Sequence, residues 1–324
     1  MDGESYRGAM KPPHRPHSGK NRDSRPSRGA PPRGTQGETP GSERRFPPAK
    51  PFAQPTRPAP EGHPFRPARP PAPRPEEPPR GTLWLVGPHA VAAALANPAR
   101  RLRRLLLTEE AEAALALRLP PPWPLAPERV ERARLEQLLG PEGAHQGIAL
   151  LADPLAPPPL ASVLERPGPA LVLDQVADPR NIGAILRSAA AFGAAFVVVQ
   201  ERHAPAETGT MAKAAAGALE RVPLLRAVNI SRTLVALKAA GLWAVGLDAA
   251  GPALSGDAFA GRRVALVLGG EGAGLRRLTR ETCDEIAGLP MPGLSRSGGM
   301  ESLNVSAAAA IALYEISRPA KTTP

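Results

Sequence analysis

An α/β fold built on a parallel sheet is the architecture this sequence predicts, with a smaller α/β unit ahead of it and a basic tail at the N-terminus. Three observations carry that expectation. Short unbroken apolar runs alternate with helical stretches across residues 160–324, the pattern of strands buried on both faces. A second, tighter alternation of strand and helix signals occupies residues 81–152. Residues 1–80 hold 21 of the 43 prolines and sixteen Lys and Arg against eight Asp and Glu, so eight of the eleven net positive charges lie there.

The tail has almost no branched aliphatics and cannot bury enough apolar surface to offset its ordering entropy. Residues 1–80 are therefore expected to be disordered. The acids in Met1-Asp2-Gly3-Glu4 and the frequent prolines argue against a transit peptide, and no apolar core of a secretory signal appears. No apolar run approaches the ~18–20 residues that span a bilayer. Cys283 is the single cysteine, and six scattered histidines offer no zinc-like spacing, so neither disulfide nor metal is expected. A cytoplasmic protein is therefore expected, and the basic balance favours a polyanionic partner, either nucleic acid or an acidic membrane.

Order is expected from Gly81. Leu83–Val86 reads as a strand, His89–Ala96 as a helix stopped by Asn97-Pro98, and Leu105–Leu107 as a second strand. Glu109–Leu119 is a helix closed by three prolines, and Pro127–Leu139 a helix with proline at its first position and Gly140 after it. A strand at Gly147–Leu151 completes the unit, and residues 153–169 read as a linker. In the third region, 170–324, strands are expected at Leu171–Leu173, Phe196–Val199, Trp243–Val245 and Val264–Leu268.

Three constellations carry chemistry. The first is Asp174-Gln175-Val176-Ala177-Asp178-Pro179-Arg180-Asn181 followed by a helix from Ile182 to Phe192. Ile182, Ile185, Leu186 and Ala189 share its core face, whereas Arg187 lies among Gly183, Ala184, Ala190 and Ala191, small residues that suit a packed or cleft-lining face. Arg187 is about 120° round the helix from Asn181, so the two converge only if Asn181 sits in the loop or cap. Read singly, Asn181 is a helix cap and Arg187 a solvated cation.

The second constellation is a strand running into Gly269-Gly270-Glu271-Gly272-Ala273-Gly274-Leu275. Neither the dinucleotide fingerprint nor a P-loop can be laid on it, and Glu271 would repel phosphate. A positively charged, phosphate-free ligand such as S-adenosylmethionine suits it better, with a purely structural glycine turn as the alternative. The third is Leu289-Pro290-Met291-Pro292-Gly293, then Ser302-Leu303-Asn304-Val305-Ser306 opening an Ala-rich helix through Ile316. Ser302 is expected to cap that helix, with Asn304 in its first turn.

In order and rough spacing these three constellations resemble the signature motifs of the SpoU/TrmH family of RNA 2′-O-ribose methyltransferases. Gly87-Pro88-His89-Ala90-Val91 and His145-Gln146-Gly147-Ile148 resemble the ends of the small RNA-binding domain in its RlmB-type subgroup, which methylates guanosine in 23S rRNA. The resemblance implies an α/β trefoil-knot (SPOUT) domain, a homodimer, S-adenosyl-L-methionine as cofactor and RNA as substrate. It further implies Gly269, Leu289 and Leu303 as cofactor contacts and Asn181, Arg187, Glu271 and Asn304 as the catalytic or substrate-positioning set. The same chemistry on tRNA, a non-catalytic ribosome-assembly factor, and a nicotinamide-dependent Rossmann enzyme, which the missing fingerprint disfavours, are the rival readings. Leu294–Gly299 makes the third motif longer than the family's usual turn and is expected either to bulge as a lip over the RNA side, with Arg296 on it, or to be an inert solvated loop. Cys283 is expected in the core and His145 in a turn or an RNA contact.

Overall fold

The computed structural model describes residues 76–140, 145–292 and 303–318. The expectations for residues 1–75, for Leu294–Gly299 with Arg296, and for Ser302 fall outside the described residues. Folded contacts start ahead of Gly81: the Glu76 amide donates to the Leu138 carbonyl at 3.0 Å and its carboxylate pairs with Arg134 at 2.9 Å.

The smaller unit runs β1 (Leu83–Val86), α1 (Pro88–Ala96), β2 (Leu102–Leu107), α2 (Glu109–Arg118), β3 (Pro127–Arg129), α3 (Arg132–Leu139) and β4 (Ile148–Ala152). Its sheet has the order β1-β4-β2-β3, and only β2 and β3 pair in parallel. The start of α2 follows from Thr108, whose hydroxyl accepts from the Ala111 amide, and from three glutamates in the first turn facing the positive end of the helix dipole. One expectation fails here. Pro127–Leu139 is not one helix, because Pro127-Glu128-Arg129 forms an edge strand against the open side of β2 and the helix starts only at Arg132. Proline is tolerated on an edge strand, and the Arg104–Glu128 pair at 2.7 Å ties the strand in place.

The larger unit contains β5 (Ala170–Asp174), α4 (Pro179–Ala191), β6 (Phe196–Gln200), α5 (Gly209–Ala215), β7 (Leu224–Ala227), α6 (Ile230–Ala239), β8 (Leu242–Leu247), β9 (Arg263–Gly269), α7 (Arg277–Thr282), β10 (Glu285–Ala287) and α8 (Val305–Ser317). All six strands pair in parallel, in the order β10-β8-β9-β5-β6-β7. The residues of β5 and β6 are buried throughout, as continuous apolar runs require in a sheet covered on both faces. From β5 the chain builds outward through β6 to β7, then returns to the other side of the sheet. The topological switch point is therefore between β5 and β9, and the crevice beyond their carboxyl ends is where open α/β sheets hold ligands. Asp174 faces Gly269 in register across that pair, so the first two motifs leave the sheet side by side.

Two helix starts differ from expectation. The helix α4 begins at Pro179, capped by the Asp178 carboxylate on the Arg180 amide at 2.8 Å, so Asn181 is neither cap nor loop but lies in the first turn. In α8, Asn304 is itself the cap: its side-chain oxygen accepts from the Ser306 amide at 2.9 Å.

The loop after β8 holds the C-terminal segment at two points. The Leu254 amide donates to the Gly288 carbonyl at 2.7 Å, and the Gly256 amide donates to the Glu315 carboxylate at 3.2 Å. Such double contact is what a chain drawn through a loop requires. The two units meet at a buried polar junction. Arg100, fully buried, reaches Glu207 at 2.6 Å and grips Glu220 through its Nε and a second nitrogen, and it also donates to the Asp153 carbonyl at 2.9 Å. Asn97 donates to Glu220 at 2.7 Å, and the Leu155 amide donates to Glu207 at 2.9 Å.

Candidate active site

At the switch point the glycine-rich loop closes on itself. The Gly274 amide donates to the Gly270 carbonyl at 3.1 Å, and a Cβ on Gly269 would run into the backbone of Gly274 and Leu275. A Cβ on Gly270 would lie 2.7 Å from the Gln175 carbonyl, on a residue that itself holds φ +65°. These two glycines allow close backbone approach between the first and second motifs. Asp174 braces the same loop. Fully buried at the end of β5, its carboxylate takes Arg276 at 2.7 Å and the Arg276 amide at 3.3 Å.

The loop forms one wall of a cavity of about 430 Å³, within the range of small-molecule sites. Leu247, Leu268, Leu289, Met291, Leu303 and Val305 supply apolar walls, and Gly269 lies among them, so all three expected cofactor contacts line one cavity. Asp248 and Glu271 bring carboxylates, and no Lys or Arg is among the described lining residues. Asp248 already pairs with Arg280, which leaves Glu271 as the lining carboxylate without a cation among the described residues.

Glu271 is held by two amides. Asn181 donates to its Oε1 at 2.8 Å and Asn304 donates to the same oxygen at 3.1 Å; Asn304 also donates to the Asn181 carbonyl oxygen at 3.1 Å. The hydrogen bonds among the described residues use only Oε1, and Glu271 is exposed, so Oε2 meets no donor among the described residues. Three of the four residues singled out as the catalytic set thus meet at the mouth of the cavity. Arg187 does not join them. It lies about 9 Å further along α4, exposed, and lines a different cleft with Arg118 and Arg221.

Of the other residues singled out, His145 is buried in a turn, where its Nδ1 accepts from the Gly147 amide at 3.1 Å and burial lowers its pKa. Cys283 is half-buried rather than a core residue, and burial pushes its thiol up to about 11, so it stays protonated. Two contributors were given no role by the sequence: Asp174, although it opens the first constellation, and Asp248 altogether. Asp174 and Asp248 each sit at the carboxyl end of a strand or one residue past it, where a lone acid after an apolar run was the available signal. Among the described residues no three His, Cys, Asp or Glu gather as a metal site.

Residues 168–314 match the SpoU rRNA Methylase family, and residues 84–158 match the RNA 2′-O ribose methyltransferase substrate binding domain. A 23S rRNA (guanosine-2′-O-)-methyltransferase RlmB from Ralstonia nicotianae is 37% identical over 256 residues, covering 74% of this chain and 97% of the relative. The chain belongs to the SpoU rRNA methylase family. A relative from Mycolicibacterium paratuberculosis, described as an uncharacterized tRNA/rRNA methyltransferase, is 42% identical over 194 residues, and there the match spans 58% of this chain and only 61% of the relative's own length. The crystal structure of the SpoU methyltransferase AviRb from Streptomyces viridochromogenes, in complex with AdoMet, superposes with a TM-score of 0.58 at 26% identity over 73% of this chain and 89% of that one. The fold of this SpoU chain is therefore that of a methyltransferase solved with its cofactor bound.

Proposed function

We propose that this protein methylates the 2′-hydroxyl of a ribose in RNA, with a guanosine of 23S rRNA as target and S-adenosyl-L-methionine as cofactor. The observation that carries the reading is the cavity at the switch point with the Asn181–Glu271–Asn304 cluster at its mouth. Its donor set suits that cofactor: apolar walls for the adenosine, free carboxylate character for the sulfonium, and no cation lining it among the described residues. S-adenosylmethionine supplies a methyl group already activated by positively charged sulfur.

The chain must do the rest. Gly269, Leu289 and Leu303 hold the cofactor, largely through backbone and apolar contact. The amides of Asn181 and Asn304 fix Glu271 by one oxygen, leaving the other to accept a hydrogen bond from the ribose hydroxyl and aim it. Arg187 would clamp the neighbouring phosphate and polarise the hydroxyl; the ribose oxygen would take the methyl carbon as that carbon's bond to sulfur breaks, and the hydroxyl proton would pass to solvent. A guanidinium with pKa above ~12 serves poorly as the base itself.

Incubation with labelled S-adenosylmethionine and transcripts of 23S rRNA fragments and tRNA, followed by mapping of 2′-O-methyl positions, tests this. Label on a 23S guanosine is the expected result. Label on tRNA alone would move the target, and cofactor binding without transfer to any RNA would leave an assembly factor in its place.

The same reading makes the protein a cytoplasmic homodimer. Ala307, Ile311 and Tyr314 share an exposed face of α8, with Tyr314 edge-on to Phe192 of the adjoining helix region at 6.2 Å, and an apolar face of this kind supports self-association. No described helix is long and apolar enough to cross a membrane. Light scattering should report a dimer that Ile311→Glu dissociates; a monomeric wild-type chain discards the dimer.

A further inference from the structure

A second cleft, of about 500 Å³, lies between α1 and α2 of the smaller unit and α4 and the turn at Ala218–Glu220 of the larger one. Its floor is alanine and glycine: Ala92, Ala93 and Ala96 from α1 approach Gly217 so closely that a Cβ there would lie 2.9 Å from that of Ala93. Its rim is basic. Arg118 from the end of α2, Arg187 from α4 and Arg221 from the turn all line it, with His89 beside them, and no carboxylate is among the described lining residues.

About half of the described arginines are ion-paired, so these three stand out by lining one groove together rather than by lacking a partner. Arg100, Arg101, Arg103, Arg104, Arg129 and Arg132, among others, each sit against a carboxylate within 4 Å. Arg118, Arg187 and Arg221 are exposed and make no ion pair among the described residues. Three guanidinium groups left unneutralised across one groove repel one another unless an anion lies between them. The small-residue floor lets a backbone come near, and Glu220, next in sequence to Arg221, is held by the buried Arg100.

We propose that this cleft is the track for the phosphate backbone of the RNA strand whose ribose is methylated, with Arg118 and Arg221 as positioning residues supplied one by each unit. The proposal rests on the RNA-methylation reading. A phosphate chain meets the groove's spaced guanidiniums by bidentate hydrogen bonds, and a strand lying in it passes Arg187, the one residue of the expected catalytic set outside the cavity cluster. The pairing of one arginine per unit explains how the smaller unit sets the register of the strand on the larger.

The test is fluorescence anisotropy of a labelled 20-nucleotide oligouridylate with the full chain, across a salt series. Arg118→Ala, Arg221→Ala and the double variant are compared with Arg132→Ala and Arg277→Ala, two exposed arginines in ion pairs outside the cleft. Each cleft variant should bind on the order of tenfold more weakly at low salt, with the slope of log affinity against log salt shallower by about 0.7 per arginine removed. Arg118→Lys and Arg221→Lys should retain the slope, and calorimetric affinity for S-adenosylmethionine should be unchanged in all. Equal losses in the Arg132 and Arg277 variants, or an unchanged slope in the cleft variants, overturn the proposal. If wild-type protein methylates RNA while the cleft variants bind normally, the track is wrong and the methylation reading stands. If binding depends on the cleft but no RNA is ever methylated, the track stands and the methylation reading fails.

Discussion

Two polar clusters hold this molecule together at different places, and they are built on opposite principles. At the junction of the units, Arg100 is fully buried between Glu207 and Glu220, whose side chains are 8% and 4% exposed, and Asn97, the Leu155 amide and the Asp153 carbonyl use up further hydrogen-bonding capacity. At the cavity mouth, Glu271 is exposed, two amides crowd onto one of its oxygens, and the other has no partner among the described residues. The first cluster is saturated and the second is not. Saturation marks polar groups that serve the fold, whereas the exposed cluster is the one that the proposed function uses.

The contrast breaks most sharply at Arg100. Arg100→Met should leave two buried carboxylates without a cation, costing about 3–5 kcal/mol and lowering the thermal midpoint by on the order of 10 °C in scanning calorimetry. A shift under 2 °C would mean that the junction is solvated and the comparison is mistaken. Next comes the cavity cluster, where the expected loss is in rate. Glu271→Gln should cut methyl transfer on the order of a hundredfold or more while the melting temperature stays within about 2 °C of wild type, since the side chain is exposed. A variant that melts early but turns over normally would reverse the assignment.

Arg187→Ala sharpens the comparison, because that residue belongs to neither cluster. Transfer should fall below detection with cofactor affinity nearly intact in calorimetry, and comparable turnover would remove Arg187 from the mechanism. Asp174→Asn lies between the two extremes. It loosens a buried pair and the glycine loop together, so both stability and cofactor affinity should fall measurably. The smallest effect is at Glu207. Burial pushes its carboxyl up, against the pull of Arg100. A raised folded-state pKa means that folding favours the protonated form, so stability rises as pH falls through that pKa and the gain is complete below the unfolded glutamate range. Denaturant titrations between neutral pH and about pH 4.5 should show this rise in wild type and a flatter profile in Glu207→Gln.

Much of the larger unit was legible because its physics is local. Leu171–Leu173 and Phe196–Val199 are apolar runs that only a doubly covered strand explains, and Ile182, Ile185, Leu186 and Ala189 repeat at helical spacing and are fully buried. The failures share a different cause. Pro127-Glu128-Arg129 becomes a strand because β2 offers it an open edge, which a window of sequence does not contain. Leu224–Ala227 and Glu285–Ala287 are short outer strands with exposed or half-buried residues, too weakly patterned to be read as strands. Asn181, Glu271 and Asn304 were singled out through motif resemblance, yet their shared hydrogen bonds depend on the register of Asp174 with Gly269 across the sheet, and the separation of Arg187 from them depends on the helix starting at Pro179.

The residues that meet at the cavity mouth are far apart along the chain: Asn181 and Glu271 are separated by 90 positions, Asn181 and Asn304 by 123. Bringing them together means closing very long loops before any contact rewards the lost freedom, and parallel pairing such as that of β5 with β9 raises the contact order further. Folding of the larger unit should therefore be slow, and the helix cap at Asn304 joins Asn181 and Glu271 only once α8 has docked against α4. In a refolding experiment, competence to bind S-adenosylmethionine should appear with the last kinetic phase, after the central strands have acquired their protection from hydrogen exchange.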